Sequence, residues 1–252
     1  MNRDDLLLSL RSLPANRRII TALDVPGPEQ ALTLANSLGL DGGFVKVGLE
    51  LYSAAGPKVV HELRRTGKDV FLDLKYHDIP NTVASAARIA AELGASLCTI
   101  HASAGRSALT AAAEALSTAP LGPDAPEGRR PALLAVTVLT SLSETEMAEV
   151  RPSSDSLQQS VERLATLAWD CGCDGLVCSA ADLPQLRKAV GPEPLVVTPG
   201  IRLAGSGTDD QHRVTTPSMA VAAGADFLVI GRPITRAENP AAALANIAAD
   251  MT

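Results

Sequence analysis

The segment from Phe71 to Val83 reads FLDLKYHDIPNTV, an apolar run that turns ionic at its end. Asp73, Lys75, His77 and Asp78 crowd together there, and Pro80 and Asn81 follow directly. Carboxylates set around an ammonium can move a proton or stabilise a developing negative charge, because each keeps its neighbour ionised and aimed. Strand side chains alternate between faces, so Phe71, Asp73 and Lys75 share one face while Val70, Leu72 and Leu74 share the other. In GFVKVGL (43–49) the same parity sets Lys46 between Phe44 and Gly48, with Val45 and Val47 on the opposite side. In IITALDV, Asp24 ends the strand in the same layer. Acids and bases gathered from neighbouring strands are better explained by an active site than by stability, since buried ion pairs rarely outperform apolar replacements. The competing reading is a purely structural ion-pair network.

A second chemistry is written near the C-terminal end. TPGIR carries Gly200 and Arg202, and VIGRPIT sets Gly231 and Arg232 directly after an apolar run. Backbone N–H groups at a turn and helix start, together with a guanidinium fork, bind anions such as phosphate. Taken alone, "GR" could equally be a turn with a solvated arginine. The run GSGTDD (205–210) reads either as a loop that closes over a ligand or as a plain surface turn.

These groups need a scaffold, and the chain supplies a repeating one. Strand-like runs occur at 18–25, 43–49, 69–76, 96–102, 132–140, 175–180, 194–200 and 226–232, separated by Ala- and Leu-rich helical stretches. Gly94, Gly172 and Gly224 stand where helices end before the next strand. Eight β/α alternations in 252 residues predict a single (β/α)8 barrel over 1–252, with a short N-terminal helical extension. The alternative is a doubly wound sheet, whose first βα turn should be Gly-rich; here it reads LDVPGPEQ, with no GxGxxG. Barrel enzymes work at the C-terminal ends of their strands and grip phosphate after strands seven and eight, where both charged clusters fall. Asn81 is expected to cap the helix after Pro80, and 120–131 is expected to be a surface loop.

Composition narrows the partner. With 46% hydrophobic and 20% charged residues the chain can build a large core. A net charge of −6 without basic blocks, and 2% aromatics, argue against nucleic acid. No apolar run is long enough to span a membrane, and the N-terminus lacks the pattern of a signal peptide. Cys98, Cys171, Cys173 and Cys178 show no zinc-type spacing and read as core residues of a reduced, cytoplasmic protein. A small molecule is the expected partner. Among the remaining polar residues, His101 suits a barrel-mouth position, His77 a loop-orienting one and His61 and His212 the surface. Trp169 suits core packing.

DLKYHDIPNT, preceded by ALDV and VKVGLELY and followed by VTVLTS, TPGIR, DQHR and VIGRPIT, resembles the orotidine 5′-phosphate decarboxylase family of the bacterial type. The matches run in order from Asp24 to Thr235. The resemblance implies a (β/α)8 homodimer that converts orotidine 5′-phosphate to UMP and CO2 in pyrimidine synthesis, with neither metal nor organic cofactor. It gives Asp73, Lys75 and Asp78 the catalytic core, with Lys46 completing the network and Lys75 as proton donor. Asp24 and Lys46 would hold the ribose, and Thr140 would contact the pyrimidine. Arg202, Gln211, Gly231 and Arg232 would lie on the phosphate side, while Asp78 and Thr82 would reach into the partner subunit's site. Tyr76, His212 and the long 120–131 insertion depart from the pattern without touching these roles. The competing functions are a metal-dependent sugar-phosphate decarboxylase or aldolase of the same extended family, and a non-catalytic phosphate-binding barrel. The metal-dependent relatives are expected to carry an acidic ligand at the position of Lys46.

Overall fold

The computed structural model describes residues 1–40, 42–150, 155–201 and 215–251. Its strands are β1 (Ile19–Ala22), β2 (Phe44–Gly48), β3 (Asp69–Tyr76), β4 (Leu97–His101), β5 (Ala132–Val136), β6 (Gly175–Val177), β7 (Leu195–Thr198) and β8 (Phe227–Ile230). They pair in parallel and in sequence order, and β8 closes on β1. The barrel expected from the β/α alternation is therefore the observed fold. Each expected strand is present, but several are shorter. β5 ends at Val136, and Thr140 stands beyond it in an exposed turn.

Two apolar clusters follow from the strand alternation. Ile19, Val45, Val47, Val70, Leu72, Cys98 and Ile100 face outward and pack against the helices. Ile20, Phe44, Phe71, Leu97, Leu134, Leu195, Val197 and Phe227 fill the interior. All three phenylalanines of the chain lie in that interior, and Phe44 meets Phe227 edge-on with ring centroids 5.5 Å apart. Removing such side chains from water is the main term favouring the fold.

The N-terminal helix, Arg3–Arg11, buries Leu6, Leu7 and Leu10 in the interior cluster, so it plugs the N-terminal end of the barrel. Arginine–aspartate pairs ring that end. Arg130 grips the buried Asp174 with two bonds, at 2.7 and 2.9 Å. Arg187 pairs with Asp226 (2.8 Å), and Arg17 and Arg64 both pair with Asp69 (2.6 and 2.8 Å). The plug helix joins this belt at both ends: Arg3 lies 3.4 Å over the Trp169 ring and Arg11 donates to Asp226 (3.1 Å). A structural charge network thus exists, at the end of the barrel away from the Asp73 and Lys75 cluster.

Gly94, Gly172 and Gly224 all adopt positive φ (76°, 89° and 107°) just after helices, as their helix-ending role requires. Asn81 does not cap the next helix. Helix Pro80–Glu92 starts at Pro80, with Ile79 as an N-cap that offers no side-chain bond. Proline suits that first position because its missing N–H needs no partner there. The 120–131 stretch is more anchored than a free surface loop: Asp124 bonds His61 (2.9 Å), and the Asp124 carbonyl accepts from Arg64 (2.9 Å). His61 is accordingly half-buried. All four cysteines are buried and unpaired with one another, and burial pushes the Cys98 thiol up to about 12. Among the described residues no helix is long and apolar enough to cross a membrane.

Candidate active site

The inward parity of β1 to β3 delivers three tiers of side chains. β2 gives Phe44, Lys46 and Gly48 in turn, and β3 gives Phe71, Asp73 and Lys75. The register sets Lys46 beside Phe71 and Gly48 beside Asp73. The Lys46 side chain therefore rises past Gly48 to reach the carboxylates of the tier above. Its Nζ lies 2.9 Å from Asp24 Oδ1 and 3.9 Å from Asp73 Oδ2. Lys75 Nζ donates to the same Asp73 oxygen at 2.7 Å. The result is an alternating chain, Asp24–Lys46–Asp73–Lys75, in which Asp73 takes one ammonium from each side.

Gly48 makes this approach possible. A Cβ at that position would stand 2.8 Å from Lys46 Nζ and 3.5 Å from Asp24 Oδ1, so any other residue would displace the ammonium. The requirement is for space, since the Gly48 backbone is ordinary extended chain (φ −96°).

Lys75 is held in an unusual backbone conformation. β3 pairs Leu72 with Cys98 and then Tyr76 with Ile100, so β3 carries two more residues than β4 across this interval. Lys75 takes up the excess at φ 52°, and it is the only non-glycine among the described residues at positive φ. Such a conformation costs about 1–3 kcal/mol and persists only where the surroundings enforce it. Bulges of this kind commonly re-aim a side chain beside an active site. Tyr76 returns to the outer cluster, where burial raises its phenol well above the usual range.

A cavity of about 380 Å³ opens over these groups. Asp24, Lys46, Asp73 and Lys75 line one side, Gly231 and Arg232 a second, and Val136, Val138, Thr140 and Val177 a third. Gly231 and Arg232 begin a short helix, Arg232–Thr235, directly after β8. Around the rim, β8, β1, β2 and β3 are consecutive, so the guanidinium and the charge chain adjoin while the apolar wall faces in from β5 and β6. Such a cavity suits an amphiphilic small molecule with an anionic end.

The remaining sequence-derived site residues stand apart. Asp78 is exposed, and its Oδ1 accepts the Ile79 N–H (2.6 Å). It forms no ion pair with Lys75 among the described residues, so within one chain Asp73 alone pairs with the Lys75 ammonium. Thr82, on the first turn of helix Pro80–Glu92, is exposed and outside the cavity. Arg202, Gln211, His212 and the 205–210 run lie outside the described residues. His101 is half-buried with its ring centroid 5.3 Å from that of the exposed His77. Burial, with His77 and Lys75 nearby, lowers its pKa despite Asp73. No group of three or more His, Cys, Asp or Glu side chains that could hold a metal ion occurs among the described residues.

Two site residues escaped the sequence reading. Gly48 was visible in VKVG, but only the register explains its need for space. Thr99, inside the apolar run SLCTIH, is fully buried and bonds to both the Lys75 backbone and Asp73. Its inward parity was the available signal.

Fold and site together define a barrel enzyme, with clustered acids and bases at the C-terminal mouth and none of the belt's structural arginines among them. Comparison with known proteins narrows that class. Residues 17–247 match the model of the orotidine 5′-phosphate decarboxylase / HUMPS family. Over 233 residues the chain is 49% identical to an orotidine 5′-phosphate decarboxylase of Laribacter hongkongensis, covering 92% of each sequence. A protein of the same name from Dichelobacter nodosus is 48% identical, with 92% of this chain and 98% of the relative covered. Among solved structures, orotidine 5′-phosphate decarboxylase from Lactobacillus acidophilus superposes with a TM-score of 0.82 at 38% identity, covering 93% of this chain and 98% of that one. The chain belongs to the orotidine 5′-phosphate decarboxylase / HUMPS family.

Proposed function

We propose that this protein decarboxylates orotidine 5′-phosphate to UMP and CO2 without metal or organic cofactor, with Lys75 as the proton donor. The observation that carries the reading is the alternating Asp24–Lys46–Asp73–Lys75 chain within one cavity. The names of the relatives supply the substrate.

When the bond from C6 to the carboxylate breaks, its electron pair stays in an sp2 orbital in the plane of the pyrimidine. The ring π system cannot delocalise that pair, so stabilisation falls to a fixed positive charge beside it. The Lys75 ammonium supplies that charge and then gives its proton to C6, leaving a neutral amine that solvent reprotonates. Asp73 pairs with the Lys75 ammonium and aims it, and Lys46 balances Asp73 from the other side. Beside a substrate carboxylate, Asp73 would also repel the group that leaves.

The rest of the ligand follows the walls of the cavity. Gly231 and Arg232, joined by Arg202 and Gln211, take the phosphate, whose binding energy can be used to order the site. Asp24 and Lys46 hold ribose hydroxyls, and Thr140 contacts the pyrimidine. Asp78 and Thr82 are assigned to the neighbouring site of a homodimer. Their exposure, and their position outside the cavity of their own chain, support that assignment. A cytoplasmic location fits the reduced, buried cysteines.

The metal-dependent reading is less favourable because the Lys46 ammonium occupies the space between Asp24 and Asp73 that a divalent cation would need. Assay of the purified protein on orotidine 5′-phosphate in excess EDTA tests the proposal. Undiminished UMP formation is expected. Loss of activity that Mg²⁺ restores would support the metal-dependent alternative, and no activity under either condition would support a binding-only barrel.

A further inference from the structure

Thr99 lies on β4, fully buried, with its side chain among the inward-facing groups beside the β3 bulge. Its single hydroxyl makes two bonds. Oγ1 accepts the Lys75 N–H at 2.9 Å and donates to Asp73 Oδ1 at 3.0 Å. The first bond falls on the one non-glycine residue of the described chain at positive φ. It supplies the Lys75 amide with a partner where the ladder has shifted out of register. The second bond occupies Oδ1 of Asp73, which turns the other oxygen, Oδ2, toward Lys75 Nζ (2.7 Å) and Lys46 Nζ (3.9 Å). A hydroxyl can give one hydrogen and accept at its lone pairs, so this one group fixes both backbone and counter-ion. A buried valine would fill the same volume and leave both partners unsatisfied.

We infer that Thr99 is a positioning residue for the decarboxylation: it sets the backbone turn that aims Lys75 and the carboxylate rotamer that receives it. The inference rests on the function proposed above. Its effect should lie in the chemical step, because Thr99 touches Lys75 and Asp73 but does not line the ligand cavity. A displacement of about 1 Å in such a group can cost about a hundredfold in rate.

The test compares the unsubstituted protein, Thr99→Val and Thr99→Ser on orotidine 5′-phosphate, with UMP binding and thermal melting measured in parallel. Thr99→Val should lose about ten- to a hundredfold in kcat while KM and UMP affinity change less than about threefold. Thr99→Ser, which keeps the hydroxyl, should recover kcat to within about threefold of the unsubstituted protein. A fully active Thr99→Val, or a loss that Ser does not rescue, overturns the role of Thr99. Should Thr99→Val fail to fold, Thr99→Ser and the Lys75 amide of the unsubstituted protein decide the matter. That amide should be protected from hydrogen exchange, and a freely exchanging one overturns the proposal. Failure of the unsubstituted protein to turn over substrate would refute the proposed function itself, a separable result.

Discussion

Removing the Asp174 carboxylate should damage stability and spare chemistry. Asp174 is 1% exposed at the N-terminal end of the barrel, immediately before β6. It takes two bonds from Arg130 (2.7 and 2.9 Å) and one from the Leu133 N–H (2.8 Å), while Arg3 lies 3.9 Å away. Asp174→Ala leaves a buried guanidinium and a buried amide without their partner, and breaking such a pair from one side costs about 3–5 kcal/mol. For a chain of this size each kcal/mol lowers Tm by about 2–4 °C, so a fall of roughly 6–20 °C is expected in a melting scan. The double variant Arg130→Met/Asp174→Leu should lose less than Asp174→Ala alone, because the Arg130 charge is removed together with its partner. At a temperature where all variants are folded, kcat should match the unsubstituted protein. A fall of less than about 2 °C for Asp174→Ala, or a double variant worse than the single one, would refute the view that this belt is a coupled structural clamp.

Gly48→Ala should show the converse. The added Cβ would meet the flexible end of Lys46 at 2.8 Å, so the fold adjusts cheaply while the ammonium moves. Tm should hold within about 3 °C and kcat/KM should fall by about ten- to a hundredfold. Unchanged activity would mean that Lys46 does not need its observed place. If the proposed shared site is correct, Lys75→Ala and Asp78→Asn proteins, each nearly inactive, should regain roughly a quarter of full activity when mixed equally under subunit exchange, provided the sites are independent. No recovery despite proven exchange would place Asp78 in the site of its own subunit.

Where side-chain alternation alone decides, the barrel could be read from residues. Phe44, Lys46, Phe71, Asp73 and Lys75 all face inward as the period of two requires, and Val45, Val47, Val70 and Leu72 face the helices. Strand lengths were less legible, because β5 stops where its pairing with His101 of β4 and Val177 of β6 ends, a relation between strands. The bulge at Lys75 was hidden for the same reason: it is a relation between β3 and β4, and parity along β3 alone shows no break. Thr99 and Gly48 act through cross-strand register, which one strand's sequence does not contain. The terminal belt was overlooked because Asp69, Asp174 and Asp226 look like ordinary acids at the starts of strands until their arginines, up to 52 residues away along the chain for Asp69, are brought beside them. Asp78, expected to serve the site of a partner subunit, is exposed in its own chain, where its Oδ1 accepts the Ile79 N–H.

The most direct measurement is turnover by Lys75→Ala alongside its affinity for UMP. Lys75 is the group assigned both to stabilise the carbanion at C6 and to protonate it, and it is 29% exposed at the edge of the cavity, so its removal need not disturb the core. The variant is expected to fold, to bind UMP within about tenfold of the unsubstituted affinity and to have almost no decarboxylase activity, the signature of an interaction made mainly in the transition state. A Lys75→Ala protein that keeps more than about a tenth of full turnover, a barrier change of under ~1.4 kcal/mol, would contradict that assignment.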